Sequence, residues 1–280
     1  MRLLTLKTVL VAIARDDTSR AGIQAGIALA NAAGATLHVV HVTDDSAVTA
    51  ESFAESALNG IGAQLHIVSG AAPDAIRSIA DRLKADVIIL GPHRGGTRIG
   101  RGSALGTTAL GVVTNAAAPC LVVSETLELP LLRVLVPVDL SDTSRGALLV
   151  ALSWASALKP TSEHASATLT ALYVGATDAS VAPGADRVRA LEHEVAELHD
   201  AGGRWAGVEL RHTAVAGTDT SATIAQYAAE HDAGLVVLGT RGLGLDPIGR
   251  VGSIAGETIR LVRRPVLLVP PAVWLTHARS

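Results

Sequence analysis

The sequence predicts an α/β protein made of two tandem, open, parallel sheets of five strands, each flanked by helices. Three observations predict it. Short β-branched runs alternate with helical stretches, the pattern of strands joined by right-handed crossovers. Runs such as Val236-Val-Leu238 and Val266-Leu-Leu-Val269 are apolar throughout, as expected when helices cover both faces of a parallel sheet. The chain also repeats itself. Val9-Leu-Val-Ala-Ile-Ala-Arg-Asp-Asp-Thr-Ser-Arg20 aligns with Val134-Leu-Val-Pro-Val-Asp-Leu-Ser-Asp-Thr-Ser-Arg145 at an offset of 125, sharing Asp-Thr-Ser-Arg. Further on, Ala85–Gly91 aligns with Ala233–Gly239, and Pro119–Val123 with Pro265–Val269.

Each half has the same order of elements. In the first, strands are expected near 8–14, 35–42, 64–69, 85–90 and 119–123, with helices between them. The boundary falls between Glu125 and Leu132, around Pro130, giving domains 1–127 and 131–280. In the second, strands are expected at 133–138, 167–174, 207–215, 234–239 and 265–269, and helices at 142–158, 185–201, 219–231 and 253–264. The drift of the offset places about seven inserted residues before the second strand of this half and about fifteen in its next helix. Asp17-Thr-Ser19 and Asp142-Thr-Ser144 offer N-cap oxygens to the first helix of each half.

Composition excludes several classes. With 280 residues, 49% hydrophobic and 18% charged, the chain has length for about two domains and ample apolar side chain for their cores. Net charge is −3, from 23 basic and 26 acidic residues without a Lys/Arg run, so a nucleic-acid backbone is not the expected partner. The aromatics Phe53, Trp154, Tyr173, Trp205, Tyr227 and Trp274 are too sparse for a base-stacking platform. The lone Cys120 excludes an internal disulfide and favours a reducing cytoplasm. Within Pro119-Cys-Leu-Val-Val123 it reads as a small buried hydrophobe. No run reaches the roughly 18 apolar residues of a membrane span. Ala12-Ile-Ala14 imitates a signal cleavage site, but the apolar stretch from Val9 to Ala14 is too short, and it reads as a strand.

In open parallel sheets, ligands bind at the carboxyl ends of strands. In the second half the first strand ends in Pro137-Val138-Asp139, and the fourth runs through Gly239-Thr-Arg-Gly-Leu-Gly-Leu-Asp-Pro-Ile-Gly-Arg-Val-Gly-Ser253 into a helix. Glycines let backbone amides approach an anion, and a helix N-terminus adds unpaired N–H groups and a positive dipole end. Gly252 and Ser253 fall at that terminus, and Arg241 and Arg250 could neutralise charge. Read from the residues alone, the loop is either a phosphate cradle or a plain turn with Ser253 as cap, and Asp139 either a ligand contact or a turn carboxylate.

Gly239-x2-Gly242-x9-Gly252-Ser253, between an apolar strand and Pro265-Val-Leu-Leu-Val269, resembles the ATP-binding motif of the universal stress protein family. Val134–Asp139 and Ser144-Arg-Gly-Ala147 resemble that family's first strand and helix, and the resemblance covers nearly all of both halves. It implies an adenine-nucleotide alpha-hydrolase-like, Rossmann-like sheet, ATP with or without Mg2+ as ligand, and domains paired through their last strands. Carried over, Asp139 and Val174 lie by the adenine and ribose, while Gly239, Gly242, Gly252 and Ser253 cradle ribose and phosphates. Pro137, Val138 and Arg241 complete the implied binding set.

The first half departs from the motif. Ala14 stands at the counterpart of Asp139, with Asp16 and Asp17 two and three positions late. Its loop keeps Gly96-x9-Gly106-Thr107 but has two extra residues after Gly91, and Pro92 removes an amide donor. A degenerate site is expected there, although His93, Arg94, Arg98 and Arg101 leave the loop basic enough for a different anion. ATP is therefore expected in the second half alone. The two halves are expected to pack as an intramolecular pseudo-dimer through their terminal strands, whose edges would otherwise invite aggregation. A homodimer and a protein partner of unknown kind stay open.

Neither a Gly-x4-Gly-Lys-Ser/Thr loop nor a Gly-x-Ser-x-Gly elbow occurs. His193 and His199 are six apart, off a common helical face, whereas His38, His41 and His66 lie on expected strands that could bring them near one another. No catalytic residue and no metal ligand is nominated. The preferred reading is an ATP-binding, nucleotide-dependent regulator of stress response. A weak ATPase or kinase-like enzyme and a scaffold with a vestigial site are the alternatives.

Overall fold

The inner strands are apolar runs buried on both faces, such as Val87–Leu90 and Val266–Val269. The computed structural model describes residues 6–14, 19–43, 62–91, 105–161, 166–175, 183–200, 205, 207–241 and 251–271. The first half contributes β1 (Thr8–Ile13), α1 (Ser19–Ala33), β2 (Thr36–Val42), β3 (Gln64–Val68), α2 (Ala72–Leu83), β4 (Val87–Leu90), α3 (Thr107–Asn115) and β5 (Cys120–Val122). The second contributes β6 (Arg133–Pro137), α4 (Asp142–Ala157), β7 (Ala167–Gly175), α5 (Pro183–Asp200), β8 (Val208–Ala216), α6 (Thr220–Glu230), β9 (Leu235–Gly239), α7 (Ser253–Leu261) and β10 (Val266–Val269).

The two expected five-strand sheets are one sheet of ten strands, in the order β3-β2-β1-β4-β5-β10-β9-β6-β7-β8. Within each half every pairing is parallel. The halves meet where β5 pairs antiparallel with β10, with Leu267 opposite Leu121 and Leu268 opposite Cys120. Each terminal strand thereby covers the other's open edge. Cys120 is 1% exposed there, and burial pushes its thiol up to about 12, which keeps it an inert packing group.

Two apolar layers sandwich the sheet. One joins Ile23 and Leu29 of α1, Leu148, Leu152 and Trp154 of α4, and Leu191 and Val195 of α5. The other joins Ile76 and Ile79 of α2, Val112 of α3, Ile224 of α6, and Ala255 and Ile259 of α7. Among the described residues no helix is long and apolar enough to cross a membrane.

Most boundaries lie within a residue or two of expectation, and two differences have a clear physical cause. The cap of α4 is Ser141, whose Oγ accepts from the Ser144 N–H at 3.2 Å, not Asp142-Thr-Ser144. The chain turns at Leu140, which holds a left-handed φ of 66°, and this places Asp142 in the first turn, where a carboxylate favours the helix dipole. α7 ends at Leu261 rather than 264, since Val262 is already extended at ψ 129°, and Pro265 further disfavours helical geometry at Arg264. Asp17 lies outside the described residues.

Candidate functional site

At the carboxyl ends of β6, β7 and β9 a cleft of about 440 Å³ opens, the size of a small-ligand site. It lies where the chain from β6 leaves toward α4 on one layer and the chain from β9 returns to α7 on the other, the topological switch of such sheets. Pro137, Val138, Asp139, Val174, Gly239, Arg241, Gly252 and Ser253 all line it. Gly242 and Arg250 lie outside the described residues.

Asp139 is half-buried just past the end of β6. Its Oδ1 accepts from the Ser141 N–H at 3.0 Å, an Asx-type turn of the kind this residue favours. The intervening Leu140, a non-glycine residue in left-handed geometry, stores strain of the sort that recurs at functional sites.

On the β9 side, two glycines work differently. A Cβ on Gly239 would lie 2.8 Å from Thr143 Cγ2 and 3.1 Å from the Thr143 carbonyl oxygen, so this glycine lets β9 approach α4. Gly252 is the N-cap of α7. Its N–H donates to the Thr240 carbonyl at 2.8 Å, which pins the two ends of the loop together and commits that amide. The first described intrahelical bond runs from Gly256 N–H to the Gly252 carbonyl at 2.9 Å. The amides of Ser253, Ile254 and Ala255 therefore have no intrahelical acceptor. No side chain caps them and no acid stands in the first turn, whereas α4 and α6 are capped by Ser141 and Asp219. Ser253 is exposed, with its hydroxyl beside these donors.

The remaining wall is largely apolar, from Leu172, Ile224, Leu238 and Ile254. The described charged groups of the lining are Asp139, Arg187 and Arg241, a net positive set beside a positive helix end. Arg187 and Tyr173 carried no sequence signal. Arg187 comes from α5 and donates from Nη1 to the Asp139 carbonyl at 3.3 Å. Thr220, which follows the Asp219 cap of α6, carried no sequence signal either.

The first half is built differently at the same place. The Ala14 N–H donates to Ser19 Oγ at 2.8 Å, and that hydroxyl donates back to the Ala14 carbonyl at 3.1 Å. His41, 2% exposed, pairs with Ile13 in the register at the position Tyr173 holds in the second half, and its Nδ1 lies 3.1 Å from the Ile13 carbonyl. Pro92, His93, Arg94, Gly96, Arg98 and Arg101 lie outside the described residues. α3 begins, like α7, behind a glycine, Gly106, with no side-chain cap.

The other histidines make no metal centre among the described residues. His38 Nδ1 and His66 Nε2 are 3.0 Å apart, with rings only 26° from parallel planes, while His41 turns to the other face of β2. Burial holds both His38 and His66 below the ordinary histidine value, and His66 also feels the charges of His38 and Arg82. His193 on α5 is exposed and sits 3.4 Å from Glu197.

A model of the universal stress protein family matches residues 5–59, 50–124 and 131–270. The chain belongs to the universal stress protein family. Among solved structures, this universal stress protein resembles one of the same family from Archaeoglobus fulgidus DSM 4304, at 17% identity over 94% of this chain and 98% of that one, with a TM-score of 0.68. A protein of unknown function from Pseudomonas aeruginosa PAO1 aligns at 16% identity over 98% and 96%, TM-score 0.65. A putative universal stress protein from Pseudomonas aeruginosa UCBPP-PA14 aligns at 16% over 98% and 97%, TM-score 0.63. At these identities the likeness establishes the fold. No curated protein matches the chain.

Proposed function

We propose that this universal stress protein binds ATP in the second-half cleft and acts as a nucleotide-dependent regulator of stress response. The observation that carries the reading is the meeting of Asp139 and Val174 with the uncapped N-terminus of α7 in one cleft. Phosphate oxygens would take the amides of Ser253 to Ala255 and the Ser253 hydroxyl, with Arg241 supplying charge. The adenine would lie against Leu172, Val174 and Ile224, leaving Asp139 to accept from ribose hydroxyls. Asp139 is the only carboxylate among the described lining residues, and it is the described group that a Mg2+ bound with the phosphates would meet.

The lining favours holding a nucleotide over turning it over. No histidine, cysteine or lysine is among the described lining residues, and one oxygen of Asp139 is engaged by Ser141. A nucleophile, a base and an orienting group are thus not assembled among the described residues. One site per chain is the expected stoichiometry, since Ala14 and His41 replace Asp139 and Tyr173 in the first half. The reading keeps the protein in a reducing cytoplasm, on the ground of its single, buried Cys120.

The test is twofold. Nucleotide released from freshly purified, acid-quenched protein should be adenine nucleotide, and calorimetry on the emptied protein should give one ATP site tighter than roughly 1 mM. Absence of binding in that range, or two equivalent sites, would overturn it.

A further inference from the structure

We propose that Arg187 transmits occupancy of the cleft to helix α5, so that the exposed face of α5 and the neighbouring edge strand β8 are ordered by the bound nucleotide. The inference rests on the nucleotide reading of the cleft and adds its regulatory output.

Among the described side chains of α5, Leu191 and Val195 are buried against the sheet. What ties α5 to the cleft is polar. At its N-terminal end Arg187 lines the cleft and donates to the Asp139 carbonyl. One turn past its middle, Glu194 meets Arg145 of α4 at 3.3 Å, and Arg145 follows Ser144, another lining residue. Burial raises the Glu194 carboxyl while Arg145 opposes the shift, so this pair is not a freely solvated one.

Arg187 enters from the layer that holds α4 and α5, whereas α7 belongs to the opposite layer. A ligand between Asp139 and the α7 N-terminus would therefore touch both layers. Its 3.3 Å bond to a carbonyl leaves most of the guanidinium's five donors for ligand oxygens. Each such bond fixes the first turns of α5 over the sheet. On the far side of α5, Glu192 lies 3.9 Å from His212 of β8, the outermost strand of this half. A ligand shifts an equilibrium only by its differential contacts with the two states, and Arg187 is the described group of α5 that makes such a contact.

The experiment is hydrogen exchange over residues 183–200 and 208–216, with and without saturating ATP, in the parent protein, Arg187→Ala and Arg187→Lys. In the parent, ATP should slow α5 exchange about fivefold, the worth of one ordinary hydrogen bond. Arg187→Ala should still bind ATP, with affinity reduced about tenfold, and should lose that slowing; Arg187→Lys should restore part of it. Arg187 is exposed, so folding is not at issue. ATP binding to the parent without slowing of α5, or slowing retained in Arg187→Ala, would overturn the coupling while leaving the nucleotide site intact. A parent protein that does not bind ATP would overturn both.

Discussion

Gly239 stands so close to Thr143 that a methyl group on it would lie 2.8 Å from the threonine Cγ2 and 3.1 Å from its carbonyl carbon and oxygen. Two of those three neighbours are backbone of α4, so the crowding cannot be relieved by a rotamer change. Gly239→Ala should therefore destabilise the empty protein by about 1–3 kcal/mol, the usual range for overpacking, which amounts to several degrees in melting temperature. Scanning fluorimetry without nucleotide is the measurement, and an unchanged transition would show that α4 can move away. Loss of ATP binding in this variant would not identify a phosphate contact.

Gly252→Val is the cleaner probe of the phosphate end. The cap residue has φ −56° and ψ 148°, which valine tolerates, and it makes no side-chain cap whose loss would confuse the result. Binding should fall beyond detection because the branched side chain intrudes beside the amides of Ser253 to Ala255. Ser253→Ala should weaken binding by about 1 kcal/mol, one hydrogen bond's worth. Titration of both variants with ATP checks the pair, and parent-like binding by Gly252→Val would remove the phosphates from α7.

Asp139→Ala places in the second half the residue that Ala14 is in the first. It deletes the proposed ribose acceptor and also the 3.0 Å bond from the Ser141 N–H. Asp139→Asn keeps a local acceptor but not the charge. ATP affinity should drop roughly tenfold or more in both, as for loss of a charge-assisted bond, while only the alanine variant should lose a degree or two of melting temperature. Equal affinity in parent and variants would make the difference between Asp139 and Ala14 irrelevant to the site count.

His38 and His66 predict an acid sensitivity confined to the first half. Both have folded values below the ordinary histidine value of 6.5, so below pH 6.5 the unfolded chain binds more protons than the folded one. Stability contributed by the neutral pair is complete above pH 6.5 and is lost as pH falls through and below that value. A second proton would put two N–H donors face to face at the 3.0 Å contact, beside Arg82. Urea midpoints at pH 5.0 and 7.5 should differ less in His66→Gln than in the parent. An equal difference in the two proteins would assign the acid sensitivity elsewhere.

Strands buried on both faces leave nothing to mistake: Val236-Val-Leu238 and Ile88-Ile-Leu90 have no polar side chain to blur their ends. The α4 cap is Ser141 and not the repeated Asp-Thr-Ser, because the chain turns at Leu140. A leucine in left-handed geometry has no sequence signature. The Gly239, Gly252 and Asp139 positions of the cleft could be singled out because they sit at strand and helix ends with a fixed spacing. Arg187 and Tyr173 could not. One arrives from a helix that reaches the cleft only once the chain is folded, and the other is placed by the β6–β7 register, which only tertiary pairing defines.

The antiparallel seam between β5 and β10 reverses strand direction at the middle of the sheet, while α1 and α4 stay on the same face. The halves are thus related by an approximate half-turn about the sheet normal, and their carboxyl rims look out from opposite margins of the molecule. Ala14 and Gly106 open on one margin, Asp139 and Gly252 on the other. Two identical domains joined this way would show the same margin twice. This chain shows two unlike ones, so a protein approaching from one side meets a different surface from one approaching from the other.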